Sequence, residues 1–180
     1  MAVLCEAISV IIKKASIEVR CEGGFSAFLN GVPNNTLCDD GELVRVGFMS
    51  PDLVKAFVDE LVYSNLRFHR QPTRELEQDI DIAVVDQQAG LTTPCDWLLV
   101  GRIPINPNGD QVTACWLAES KIQKLYFPEN WNYDHSLSKK FHFSKSENVE
   151  TEMKYIRTEG NLDVYLNVKL GIEVFTPKQN

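Results

Sequence analysis

Long apolar runs are missing from this 180-residue sequence. Near its start the longest stretch, Ala7 to Ile12, is interrupted by Ser9 and followed by Lys13 and Lys14. That is far short of the roughly 20 residues needed to cross a bilayer. Glu6 precedes the apolar stretch and the basic residues follow it, the reverse of a secretory leader, so the reading is a cytoplasmic protein without a membrane span. No C-x-x-C pair occurs, and Cys5, Cys21, Cys38, Cys95 and Cys115 make an odd, widely spaced set. This argues against a disulfide framework and against a zinc clasp, leaving reduced thiols that behave as small hydrophobes. Phosphate cradles are absent too: Gly23 and Gly24 belong to no G-x-G-x-x-G, and no Gly-Lys-Ser/Thr occurs, so no nucleotide cofactor is expected. Histidine is scarce, with His69, His135 and His142 the full set, and neither H-E-x-x-H nor G-x-S-x-G is present. Positive charge is in deficit: 18 Lys and Arg stand against 25 Asp and Glu, for a net charge of -7. A phosphate-backbone binder depends on Lys and Arg displacing counterions, so nucleic acid is excluded as a general partner. Anionic membrane surfaces are disfavoured for the same reason, whereas basic partners suit the surface.

Against these absences stand clear elements. Ala7 to Ile12 is short and β-branched, a buried strand. Ala15 to Arg20 reads as the start of a helix that Gly23 and Gly24 stop, and Phe25 to Asn30 resumes it with Phe25, Phe28 and Leu29 at helical spacing. Pro33 to Gly41 is a loop of turn formers, and Leu43 to Phe48 is a strand. Ser50 as N-cap, Pro51 at the first helical position and Asp52 at the positive dipole end then open a helix. Its stripe is Leu53, Val54, Phe57, Val58 and Leu61, and Asn65 is a left-handed stop. Arg67 to Gln78 is a polar connection containing Pro72, and Asp79 to Asp86 is a strand entering the interior. Trp97 to Ile103 and Gln111 to Ala118, joined by turn residues around Asn106 to Gly109, form an antiparallel hairpin. At the far end, Met153 to Arg157 precedes an unbroken alternation of aliphatics from Leu162 to Val174, a strand with one greasy face that Gly171 is placed to bend.

Strands that arrive without intervening helices predict an α+β fold: a mainly antiparallel sheet packed by two or three helices, with a C-terminal β-hairpin. Residues 1–118 carry 9 basic and 16 acidic side chains, while 119–180 carry 9 of each. This asymmetry marks an acidic core region, 1–118, and an aromatic-rich C-terminal subregion, 119–180.

Candidate chemistry is spread thinly. Asp79, Asp81 and Asp86 bracket one strand and offer hard oxygen ligands, though exposed acids flanking an apolar strand are commoner and no metal is assigned. Asp86 to Trp97 is the densest set of hydrogen-bonding side chains, lying where one strand leaves a sheet and another enters, which is where binding groups collect. It contains Asp86, Gln87, Cys95, Asp96 and Trp97. A nucleophilic Cys95 is disfavoured by the charge of Asp96, which raises a thiol pKa, and turn-building is the plainer role for the segment. Arg67, His69, Arg70 and Arg74 make a basic cluster best read as solvated connector charge. Tyr126, Phe127, Trp131, Tyr133, Phe141 and Phe143 give the C-terminal region aromatics suited to a pocket or interface, with Trp131, Tyr133 and His135 as its binding candidates. The expectation is a non-enzymatic binding protein for a protein partner or small ligand. The alternative is a small-molecule hydrolase or transferase using Asp86 and Asp96 with Cys95 or His135.

Overall fold

The computed structural model describes residues 1–69, 79–107, 109–140, 153–159, 162–167 and 172–177. It divides into two compact units, 1–131 and 132–180. The fold is α+β, with mostly antiparallel sheets.

In the first unit the chain runs β1 (Ala2–Leu4), β2 (Ile8–Lys13), α1 (Lys14–Arg20), α2 (Gly24–Gly31), β3 (Cys38–Asp39), β4 (Leu43–Phe48), α3 (Pro51–Tyr63), β5 (Ile82–Asp86), β6 (Gly90–Leu91), β7 (Leu98–Pro104), β8 (Gln111–Leu117) and β9 (Leu125–Tyr126). Among the described residues these strands form two sheets, ordered β3-β4-β2-β5-β6 and β7-β8-β1-β9. The first is antiparallel throughout, with Val10 opposite both Val46 and Val84. Alternation sorts its side chains. Val10, Ile12, Val44, Val46, Ile82 and Val84 point to one face, where Ile17 of α1, Phe28 of α2 and Val54, Phe57, Val58 and Leu61 of α3 close a core. Ile11, Leu43, Ala83 and Val85 point to the other, where Val3, Cys5, Leu98 and Cys115 of the second sheet meet them. The unit is therefore layered helix, sheet, sheet, and β2, β4 and β5 are buried on both faces because both are covered.

The helix beginning at Pro51 is built as its sequence predicts. Ser50 Oγ accepts from Asp52 N–H at 3.3 Å, and the stop uses Asn65 at φ 70° with Leu66 N–H returning to the Leu61 carbonyl. Leu53 differs from expectation: it is 57% exposed, because the buried stripe starts at Val54. β1, β3, β6 and β9 were not foreseen, β3 and β6 lying in segments read as loops.

Between the two sheets sits a charge. Arg45 is only 3% exposed and faces the second sheet from β4. Its guanidinium donates to Ser9 Oγ (3.0 Å), the Thr36 carbonyl (3.1 Å) and the Glu6 carbonyl (2.9 Å). Burial pulls its pKa down, and the neighbouring Cys5, Glu6, Cys38 and Cys115 push it back up. Arginine nonetheless stays protonated, its ordinary pKa being above about 12. Gly47 makes the room: a Cβ there would lie 2.7 Å from Arg45 Cζ. Asn34 and Thr36 then dock on the Gly47 backbone, Asn34 Nδ2 donating to its carbonyl at 2.9 Å and Thr36 Oγ1 accepting from its N–H at 2.7 Å.

The second unit opens with a 3-10 turn (Tyr133–His135) capped by Asn132, whose Oδ1 accepts from Asp134 N–H, and continues into α4 (Leu137–Lys140), where Lys139 pairs with Asp134. β10 (Met153–Glu159), β11 (Leu162–Asn167) and β12 (Ile172–Pro177) form an antiparallel meander in which Asn167 faces Ile172 and Val164 is buried. The unbroken strand expected from Leu162 to Val174 is thus two strands that fold back on each other. Ile172 and Val174 pair with Asn167 and Tyr165, so they lie on the face opposite Leu162, Val164 and Leu166, and the alternation in sequence does not make one greasy face. Val168, Leu170 and Gly171 lie outside the described residues.

Arg45→Met removes a donor from the Thr36 carbonyl, the Glu6 carbonyl and the Ser9 hydroxyl, the last two keeping their mutual bond of 3.1 Å, and urea unfolding should show a loss of about 2–4 kcal/mol. Burial also pushes the Cys38 thiol from 9.0 up to about 12. Below pH 9 native and unfolded chains both hold that proton. Above it the unfolded chain releases the proton first, so stability falls between pH 9 and 12, by up to about 1.4 kcal/mol per pH unit. The alkaline fall of the urea midpoint should be shallower in Cys38→Ala.

Candidate functional site

The strand end at β5 is shaped by two residues that the sequence singles out. Asp86 Oδ1 accepts from the N–H groups of Gln88 and Ala89, both at 2.8 Å, which turns the chain out of the sheet. Gly90, opposite Asp86 in the ladder and at φ 84°, supplies the left-handed residue that closes a three-residue hairpin into β6. Gln87 is buried. Its Oε1 accepts from Ala7 N–H, its own N–H reaches the Ala7 carbonyl, and its carbonyl accepts from Thr113 Oγ1 at 3.0 Å. Gln87 therefore ties the β5 end both to the β1–β2 corner and to β8.

This anchored turn forms one wall of a cleft of about 430 Å³. The opposite wall is β7 from Leu98 to Arg102, and Thr113 completes the lining. Within the wall, Leu91, Leu98, Leu99 and Val100 are apolar, while Gln88 and the exposed Arg102 bring an amide and a guanidinium. The volume lies in the range of small-ligand sites, which pair apolar walls with a few polar groups. Among the described residues both bordering strands, β6 and β7, end their respective sheets.

Of the residues read from the sequence, Gln87 lines this cleft and Asp86 builds its turn. Cys95, Asp96 and Trp97 lead into β7 without lining it. Cys95 is half-buried, and its thiol pKa is raised first by burial and further by Asp96; the Trp97 and Leu98 amides and Lys13 pull it down without reversing the shift. Trp97 carries the Lys13 ammonium over its ring at 4.8 Å, and its buried Nε1 has no hydrogen-bond partner among the described residues. Trp131 packs on Phe127 in a tilted pair with ring centroids 5.1 Å apart at the end of the first unit, and Tyr133 and His135 begin the second. Asp81 is buried against Arg20 at 3.0 Å and accepts from Arg67 N–H, while Asp79 is exposed and pairs with Arg67. Asp86 lies at the other end of β5, and among the described residues no three His, Cys, Asp or Glu side chains converge as a metal site. His69 is buried, whereas Arg70, Arg74, Phe141, His142 and Phe143 lie outside the described residues.

Sequence reasoning passed over Val100 and Arg102. The one available signal was a strand with exposed positions following directly on a turn-rich segment.

A raised thiol pKa predicts that Cys95 in the folded protein reacts with iodoacetamide more slowly than a free cysteine at pH 7.5, accelerating as the pH passes 9. Peptide mapping after timed labelling reads this, and rapid labelling at neutral pH would instead show an activated nucleophile. Compared with models of protein families, with curated proteins and with solved structures, the chain matches none.

Proposed function

We propose that this chain is a non-enzymatic binding protein that takes a small ligand in the cleft between β6 and β7, a ligand with an apolar body and an anionic end. The observation that carries the reading is the lining: leucines and a valine beside a guanidinium and an amide, held by a turn whose polar groups are already committed to structure. Arg102 suits a carboxylate or phosphate oxygen, and Leu91 with Val100, which shares the Arg102 face of β7, suits an aliphatic or aromatic body. An acid–base or nucleophilic role fits less well. Asp86 Oδ1 is held by two amide protons that build the turn, and the Cys95 thiol is shifted away from ionisation.

A second reading, a protein partner, is supported by the seven-residue β7 at the end of its sheet, because such an edge accepts an extended peptide as an additional strand. Either use suits a cytoplasmic setting. No helix among the described residues is long and apolar enough to cross a membrane, and the net charge of -7 keeps the surface from anionic lipid and nucleic acid.

Titration of the ¹⁵N-labelled protein with a panel of aryl and alkyl carboxylates tests the reading. Saturable shifts are expected at Gln88, Gly90, Leu99 and Gly101, weakened at least about tenfold in Arg102→Ala, the loss of a charge-assisted contact worth about 1.5 kcal/mol or more. Shifts confined to other surfaces, or unchanged affinity in Arg102→Ala, contradict it.

A further inference from the structure

The inter-sheet layer holds a feature independent of the cleft. Cys5 follows β1, Cys115 lies on β8, and the ladder places Val3 opposite Cys115, so the two thiols belong to one face of adjacent strands. Their sulfurs are 2.8 Å apart, and both residues are 0% exposed. Both are free thiols, as is Cys38, which is also buried in this layer. The Arg45 guanidinium shares the layer, and its three acceptors, two carbonyls and a hydroxyl, are all neutral. A buried cation hydrogen-bonded to neutral groups stabilises a thiolate forming beside it, and the thiolate is the species that begins thiol oxidation.

We propose that Cys5 and Cys115 are a redox pair, closed to a disulfide by a peroxide. One thiol, as its thiolate, attacks a peroxide oxygen. The O–O bond breaks, a sulfenic acid forms, and the departing hydroxide takes up the proton the thiol released. The sulfur of the second cysteine then attacks the sulfenic sulfur. An S–S bond forms, the S–O bond breaks, and the oxygen leaves as water with the second thiol proton. The balance is two thiols and one hydrogen peroxide giving one disulfide and two waters, the two electrons passing from sulfur to peroxide. Burial makes the reaction wait on opening of the shared layer, so it is slow against that of an exposed thiol. Burial also holds the Cys115 thiol well above its ordinary pKa, an effect opposed by Arg45. Once made, the bridge links positions 110 residues apart and restricts the unfolded chain accordingly.

The test oxidises the reduced full-length protein with hydrogen peroxide under native conditions, blocks remaining thiols after denaturation, and maps the peptides. The expected product has lost two hydrogen atoms, yields a Cys5–Cys115 cross-linked peptide, and melts about 5 °C or more above the reduced form. Cys115→Ser should show neither the mass loss nor the rise on oxidation, and Cys95→Ser should behave as the parent. Should Cys115→Ser fail to fold, Cys5→Ala serves in its place, and the parent's own peptide map decides in either case. Both cysteines remaining open to blocking, oxygen added stably to either sulfur, or a bridge to Cys38 or Cys95 would overturn the proposal.

Discussion

Arg45 is the constraint around which the first unit is arranged. A guanidinium taken out of water must be given acceptors, because an unpaired buried charge costs several kcal/mol. Here the acceptors come from separate parts of the chain: the Glu6 carbonyl at the corner between β1 and β2, the Ser9 hydroxyl on β2, and the Thr36 carbonyl ahead of β3. Satisfying one side chain therefore fixes where the first sheet hands the chain to the second. It also explains Gly47, whose missing Cβ leaves the guanidinium its space, and the docking of Asn34 and Thr36 on the Gly47 backbone. The surrounding thiols are small and weakly polar, so they fill the layer without requiring strong partners of their own.

The cleft inherits this arrangement. Gln87 bonds to Ala7, one residue from the Glu6 corner, and to Thr113 on β8, while the Cys5 N–H donates to the Thr113 carbonyl. The wall formed by the β5–β6 turn is thus held to the same corner that Arg45 organises. Val100 and Arg102 share one face of β7, across the cleft from the β5–β6 turn. A ligand there meets a preformed surface, which lowers the ordering cost of binding.

Local signals carried much of the fold. The cap at Ser50, the stop at Asn65, the β-branched run of β2 and the hairpin of β7 and β8 all rest on interactions within a few residues, and these the chain declares openly. Two-residue strands such as β3 and β6 have no periodicity to display, and β1 is three residues held by its ladder partners. Arg45 in an alternating strand looks like a solvent-facing residue. Its burial depends on a second sheet that the alternation of β4 has no means to announce. Likewise Asp86 and Gln87 were legible as residues of consequence. Their carboxylate and amide proved to be occupied in shaping the turn, and the polar lining came from Gln88 and from Arg102, whose position depends on how two sheets meet.

Native-state hydrogen exchange tests most directly whether both sheets share one interior organised around Arg45. If they do, amides of Cys5 and Ala114 in one sheet and of Val10 and Val46 in the other exchange only by global unfolding, with opening free energies within about 1 kcal/mol of each other. Exchange from β1 and β8 through a separate opening several kcal/mol easier, with β2 and β4 still protected, would contradict the account.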